Sequence, residues 1–229
     1  HITSARTGAA GGVAVKYLAR PDARTLGLVG SGVQAEFQLD AITRALKINE
    51  VVVYDQRPER AAAFVKRMED RYPELSFRVV EDERLAVEGI DVVATVTPSR
   101  QPHVRSEWVR PGTHINAIGA DAPGKQELDP DILKRGKVVV DDMEQAKHSG
   151  EVNVPLSRGI FSEDKIYAEL GDIVSSKVAG RVSDDEITIF DSTGIAIIDA
   201  ITAHIAYRKA IQLGVGLRIN LVQLPNKAP

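Results

Sequence analysis

Apolar positions along this chain follow two different periods. Short continuous apolar runs read as strands buried on both faces. They fall at 25–29, 51–54, 76–80, 91–96, 113–118, 138–140 and 187–190. Between them apolar residues recur every third or fourth position, the helical period. Helices are expected over 3–19, 33–46, 58–72, from Leu128-Asp129-Pro130, over 142–148 and over 195–213. Phe37, Leu39, Ile42 and Leu46 give the second of these its apolar face, and Pro58 takes the first-turn position of the third. Pro21 stops the first and Gly214 the last. Residues 82–88 read as a short acidic helix with a solvated face, 149–162 as mostly loop, and 163–178 as helical in part. Residues 217–221 are expected to form a last strand, followed by a proline-containing mobile tail.

This alternation predicts an α/β fold: a Rossmann-type, doubly wound parallel sheet over 21–190. Residues 1–20 are a connecting helix. Residues 191–229 are expected to be a helix and strand that either pack on the sheet or return to a second, incomplete domain. Polar residues follow four of the strands, at Gly30–Gly32, Thr97–Ser99, Gly119–Asp121 and Asp191–Ser192. A parallel sheet brings all four to one edge, the edge at which such sheets hold ligands.

The first of these turns carries the sharpest motif. Thr25–Val29 leads into Gly30-Ser31-Gly32, a helix starts at Val33-Gln34-Ala35, and the next strand ends at Asp55. Strand, glycine turn, helix, strand and acid together form a dinucleotide-binding fingerprint, with Ala35 at its third small position. Gly30 permits the tight turn, Gly32 lets a pyrophosphate approach the backbone, and the helix N-terminus faces the phosphates. Asp55 stands where a carboxylate accepts bonds from a ribose. That favours NAD, while Arg57 leaves NADP open.

Composition narrows the partners. The chain has 229 residues, a net charge of −3 and no block of basic residues, which argues against a nucleic-acid surface. No apolar run reaches the length of a membrane span. The absence of cysteine removes disulfides and thiolate chemistry and fits a cytoplasmic protein. His148 and Glu151 look like a pair, but no second histidine stands at ligand spacing, so no metal site is expected. Asp121 is either a general acid–base whose pKa burial would raise or an Asx-turn residue before Pro123. Lys125 is either a partner for a substrate anion or a surface lysine. Asp191 and Ser192 are candidates to bond a nicotinamide or the loop backbone. The small residues of 3–19 suggest close packing against a neighbour or a ligand. Arg6 and Thr7 stand at that helix's start, and the chain opening at His1 inside it suggests sequence upstream.

Taken together, Thr3–Ala10, Gly30–Ala35, Thr97-Pro98-Ser99, His114–Asp121 with Pro123–Leu128, Glu144–His148 and Phe190–Gly194 resemble the ornithine cyclodeaminase/mu-crystallin family. The resemblance is closest to its archaeal-type alanine dehydrogenases. It implies that Arg6 and Thr7 hold cofactor phosphates or, for Arg6, the substrate carboxylate. Gly30, Ser31, Gly32, Val33 and Gln34 would cradle the pyrophosphate, and Thr97, Pro98 and Ser99 would lie along the adenosine. Gly119 would border the cofactor, and Ser192 would meet the nicotinamide amide. Asp121 matches the family's catalytic aspartate, and Lys125 would face the substrate. The implied activity is NAD-dependent oxidation at the Cα–N bond of a small amino acid, most nearly L-alanine to pyruvate and ammonia. Ornithine cyclisation, cyclic-imine reduction and non-catalytic cofactor binding are the other members' roles. Family members are longer, and the N-terminal part that carries much of their homodimer interface and a substrate-gripping lysine and arginine has no counterpart here.

Overall fold

A computed structural model describes residues 1–217 and residue 219. Helix α1 (Ile2–Leu18) leads into β1 (Thr25–Val29), then α2 (Val33–Ala45), β2 (Glu50–Tyr54), α3 (Pro58–Arg71), β3 (Ser76–Val80), β4 (Val92–Thr95) and β5 (His114–Ala117). After these come α4 (Pro130–Arg135), β6 (Lys137–Val140), α5 (Met143–Ala146), α6 (Asn153–Ser157), β7 (Ile166–Glu169), α7 (Leu170–Val174), β8 (Thr188–Asp191) and α8 (Ala196–Leu213). All eight strands lie parallel in one sheet, in the order β3-β2-β1-β4-β5-β8-β6-β7. The chain runs outward from β1 in one direction to β3, then restarts on the other side at β4. The reversal opens a crevice at the carboxyl ends of β1 and β4.

Each apolar run became a strand because helices cover both faces of the sheet. One face packs Leu26, Leu28, Val51 and Val53 against Leu39, Ile42, Phe64 and Met68 of α2 and α3. The other gathers Val29, Val52, Val93 and Ile115 with Leu128, Ile132 and Leu133. Three expectations change. Residues 163–178 hold strand β7, whose Ile166 and Ala168 are buried while Tyr167 is exposed. Residues 82–88 form only a short 3₁₀ turn over Glu83–Ala86, with Ala86 and Val87 in the core. The loop 149–162 contains α6. The strand expected at 217–221 and the tail beyond it fall, apart from residues 217 and 219, outside the described residues.

The small residues of α1 report a neighbour. At Gly11 a Cβ would run into the Gln38 side chain of α2. There Asn116 Nδ2 donates to Gly11 O at 3.2 Å and to Gln38 Oε1 at 3.1 Å, and Gln38 Nε2 donates to Thr7 O at 3.2 Å. His114 sits wholly buried beside this group, 3.0 Å from Asn116 Oδ1 and 2.8 Å from Thr188 Oγ1. Burial holds its pKa down at about 3, so the ring is neutral.

The amino edge of the sheet is tied by one guanidinium. Arg181 donates to Leu18 O at 2.6 Å, Glu186 O at 2.7 Å, Thr188 Oγ1 at 3.0 Å and Gly112 O at 3.3 Å. At the other end of the fold, α8 has no fully buried residue, and Ile197, Ile201, Ile205 and Ile211 are each more than half exposed. No described helix is long and apolar enough to cross a membrane.

Candidate functional site

The crevice at the switch between β1 and β4 is a cavity of about 240 Å³. Its walls come from three strand ends: Gly30, Ser31 and Gly32 after β1; Asp55 and Arg57, with Arg60 of α3, after β2; and Thr97, Pro98 and Ser99 after β4. Eight residues singled out in the sequence therefore line one space. Gly30 has φ +102°, which side chains disfavour, and its N–H donates to Tyr54 O at 2.8 Å. Asp55 organises the turn: Oδ2 accepts from Ser31 N at 3.0 Å and Ser31 Oγ at 2.7 Å, and Oδ1 accepts from Arg57 N at 3.0 Å.

The start of α2 fits a dinucleotide in this cavity. Gly32 caps α2 without any side-chain acceptor, and a Cβ built there would meet only open space. Gln34, two residues on, does not line the cavity, and its Oε1 is buried without a partner in the protein. A pyrophosphate lying over Gly32 would occupy that space and face the first-turn N–H groups of α2. Val33, at the same turn, is exposed.

Among the cavity residues not anticipated are His103 and Glu83. His103 lies 3.2 Å from Thr97 Oγ1 through Nε2 and bonds Glu83 through Nδ1. Burial alone would lower its pKa, but the bond to Glu83 and that residue's charge outweigh it and raise it. Nothing in the sequence period marks this pair, because Glu83 sits in the acidic turn expected to be solvated.

The reaction residues expected after β5 form a second group on the same edge. The Asp121 side chain is 62% exposed, and its Oδ1 lies 2.5 Å from Lys125 Nζ. Lys125 is the less exposed partner, at 21%. Neither Arg6 nor Thr7 lines this cavity. Thr7 is buried against α2, and Arg6 pairs with Asp199 at 3.0 Å and packs its guanidinium on Gly194. Ser192 is nearly buried, its Oγ 3.4 Å from Asp141 Oδ2, which also accepts from Gly194 N at 2.6 Å. His148 and Glu151 do not pair: His148 is exposed, whereas Glu151 is fully buried and bonds backbone.

Beneath these loops run three buried carboxylates. Glu127 accepts from Thr97 N at 2.7 Å and Gly119 N at 2.9 Å. Glu151 accepts from Glu127 N at 2.9 Å and Leu128 N at 2.9 Å. Asp191 accepts from Glu151 N at 2.9 Å and Val152 N at 3.1 Å. Burial raises all three, Asp191 to about 7, and the neighbouring charges of Glu127 and Asp191 add to the rise at Glu151. Of the two roles open to Asp191 in the sequence, the loop backbone is the one it fills.

With this geometry in hand, the whole described sheet and both candidate loops match one family model, ornithine cyclodeaminase/mu-crystallin, over residues 1–213. The chain belongs to the ornithine cyclodeaminase/mu-crystallin family. An alanine dehydrogenase from Archaeoglobus fulgidus is 50% identical over 98% of the chain, which spans 68% of that protein. Among solved structures, an archaeal alanine dehydrogenase dimer with bound NAD superposes with a TM-score of 0.91 at 51% identity, covering 96% of this chain and 68% of that one. A Thermococcus litoralis Δ1-pyrroline-2-carboxylate reductase, solved with NADH and L-proline, gives 0.92 at 41% identity, covering 95% and 68%. In this member of the ornithine cyclodeaminase/mu-crystallin family the cavity lies at the sheet's switch point.

Proposed function

We propose that this protein is an NAD-dependent oxidoreductase acting on the Cα–N bond of a small amino acid, with L-alanine, pyruvate and ammonia as its reactants. The observation that carries the reading is the sharing of one sheet edge by the Asp55–glycine-turn cavity and the Asp121–Lys125 pair. The half-identical alanine dehydrogenase supports the choice of substrate. When bound, the nicotinamide supplies the hydride acceptor for oxidation and the hydride donor for the reverse reaction.

The chain's own residues have separable tasks in this reading. Gly30, Ser31, Gly32, Val33 and Gln34 cradle the pyrophosphate. Asp55 takes the ribose hydroxyls, with Arg57 beside it, and Thr97, Pro98 and Ser99 line the adenosine side. Gly119 and Ser192 border the nicotinamide, and Thr7 backs the phosphate end from α1. Asp121 moves the proton at the amino or imino nitrogen; its exposure leaves it open to substrate. Lys125 orients Asp121 and attracts the substrate carboxylate, and Arg6 contributes positive charge from α1. A homodimer is part of the same proposal, supported by the relative solved as a dimer and by the exposed isoleucines of α8.

A second reading is reduction of a cyclic imine, favoured by the reductase solved with L-proline. Ornithine cyclisation and non-catalytic binding are further roles within the family. One assay set separates them. Pyruvate and ammonium consuming NADH supports the alanine reading. NADH oxidation by Δ1-pyrroline-2-carboxylate alone supports the reductase. Ammonia released from ornithine without net NADH change points to cyclisation, and NADH binding without turnover points to a binder. Within any active case, Asp121→Asn is expected to abolish turnover and spare NADH binding; persisting turnover removes Asp121 from its role.

A further inference from the structure

We propose that Glu127 is a positioning residue that locks the cofactor loop after β4 to the reaction loop after β5. This rests on reading the cavity as the dinucleotide site. The ladder between β4 and β5 ends at the Thr95–Ala117 rung, and the last backbone bonds run from Ile118 N and Gly119 N to Thr95 O at 3.0 and 3.1 Å. Past that point the two strands have no further partner in each other, and the loops they feed carry Thr97–Ser99 on one side and Asp121 on the other. The Glu127 carboxylate bridges them. One oxygen accepts the Thr97 N–H at 2.7 Å and the other accepts the Gly119 N–H at 2.9 Å. A side chain thus adds one more rung to the sheet.

The residue is itself held rigid. Its N–H donates to the Glu151 carboxylate at 2.9 Å, and its carbonyl accepts from His103 N at 2.9 Å and Val104 N at 3.0 Å. The fit is close enough to dictate the glycine opposite: a Cβ at Gly119 would collide with the Glu127 carboxylate and the Thr97 carbonyl. Glu127 is wholly buried and both its oxygens are taken up by N–H groups, so it is not a proton-transfer group. A carboxylate suits this place because it offers two equivalent oxygens to two donors, whereas glutamine offers one and sets its amide N–H₂ against the other N–H. An ordinary core residue would avoid the desolvation of a buried charge, so the double acceptance accounts for the acid.

The test uses Glu127→Gln and Glu127→Asp, with NADH binding by fluorescence and amide hydrogen exchange. In Glu127→Gln, the expected result is at least about tenfold weaker NADH binding by the folded protein. Exchange should quicken at Thr97 and Gly119 and stay unchanged in β1 and β2. Glu127→Asp, shorter by one methylene, reaches only one donor, so only one of the two amides should lose protection. A merely structural glutamate would lower the melting temperature and leave NADH affinity and local exchange unchanged; that result overturns the proposal. If neither variant folds, wild-type exchange decides: slow exchange at both amides supports the clamp, and fast exchange at either refutes it. Wild-type protein that binds no NADH refutes the cofactor reading itself, whereas wild-type that binds alongside an equally binding Glu127→Gln refutes only the clamp.

Discussion

Lys125 Nζ stands 2.5 Å from Asp121 Oδ1, four residues apart in a turn, with the lysine the more enclosed of the two. An exposed ion pair of this kind contributes little to stability, on the order of 0–1 kcal/mol. Its value lies in aim, because it fixes where the Asp121 carboxylate points. Lys125→Met is therefore expected to lower kcat/KM by at least about tenfold with little change in melting temperature. NADH affinity should stay within about twofold. Steady-state kinetics beside a fluorescence titration would check both.

On the proposed reading, Asp55 decides between cofactors. Its carboxylate faces a cavity that also holds Arg57 and Arg60. Removing the acid leaves two guanidinium groups where a 2′-phosphate would lie. Asp55→Ser is expected to shift the ratio of NADPH to NADH affinity by about tenfold or more toward NADPH. The substitution also loosens the turn, since Ser31 loses both of its bonds to Oδ2, so NADH binding should fall outright. Paired titrations with the two nucleotides measure this; an unchanged ratio would remove Asp55 from cofactor choice.

His114 makes stability pH-dependent. Its folded pKa, about 3, lies below the ordinary 6.5. The unfolded chain therefore takes up a proton near pH 6.5 that the folded chain refuses, and stability falls as pH drops from 6.5 toward 3. The three buried carboxylates act with the opposite sign. Asp191, raised to about 7 from 3.8, contributes stability that is full below pH 3.8 and lost as pH rises through 7. Comparison with a variant isolates the histidine. The stability advantage of wild type over His114→Gln should shrink on acidification by up to about 1.4 kcal/mol per pH unit across that window. Denaturant melts at a series of pH values test it.

Gly119→Ala is expected to cost about 1–3 kcal/mol, the usual range for overpacking a filled site. The added methyl meets the Thr97 carbonyl and the Glu127 carboxylate, neither of which has room to move. Gly159, where a Cβ would find open space but φ is +66°, provides a control. Its alanine variant tests backbone strain alone, at about 1 kcal/mol. Thermal denaturation of the two variants, with NADH binding, would show whether only Gly119→Ala also loses the cofactor.

The sheet could be read from sequence because strands covered on both faces write themselves as unbroken apolar runs. Strand β7 could not: four residues with Tyr167 exposed between Ile166 and Ala168 look the same in either period. That the glycine turn and Asp55 share one cavity was legible because their spacing is fixed by a strand, a helix and a strand. Asp121 was found by its place after a strand; its exposure was not legible, because it depends on the loop that carries it outward. Asp191 was marked by its place at a strand end, but Glu127 and Glu151 left no signal of this kind, and nothing joined the three as a buried set. They bind backbone N–H groups, which every residue has, across separations of 8 to 40 positions.

Arg181 gathers α1, the start of β5 and the start of β8 at the edge opposite the cavity. The molecule thus keeps its mechanical fastening and its chemistry at opposite ends of the same strands. Loops on the cavity side can be exchanged, lengthened or repurposed while the fastening stays whole, so new substrate preferences are best sought by grafting there. Attempts to raise heat tolerance belong at the Arg181 end, where a gain in rigidity lies away from the cavity loops.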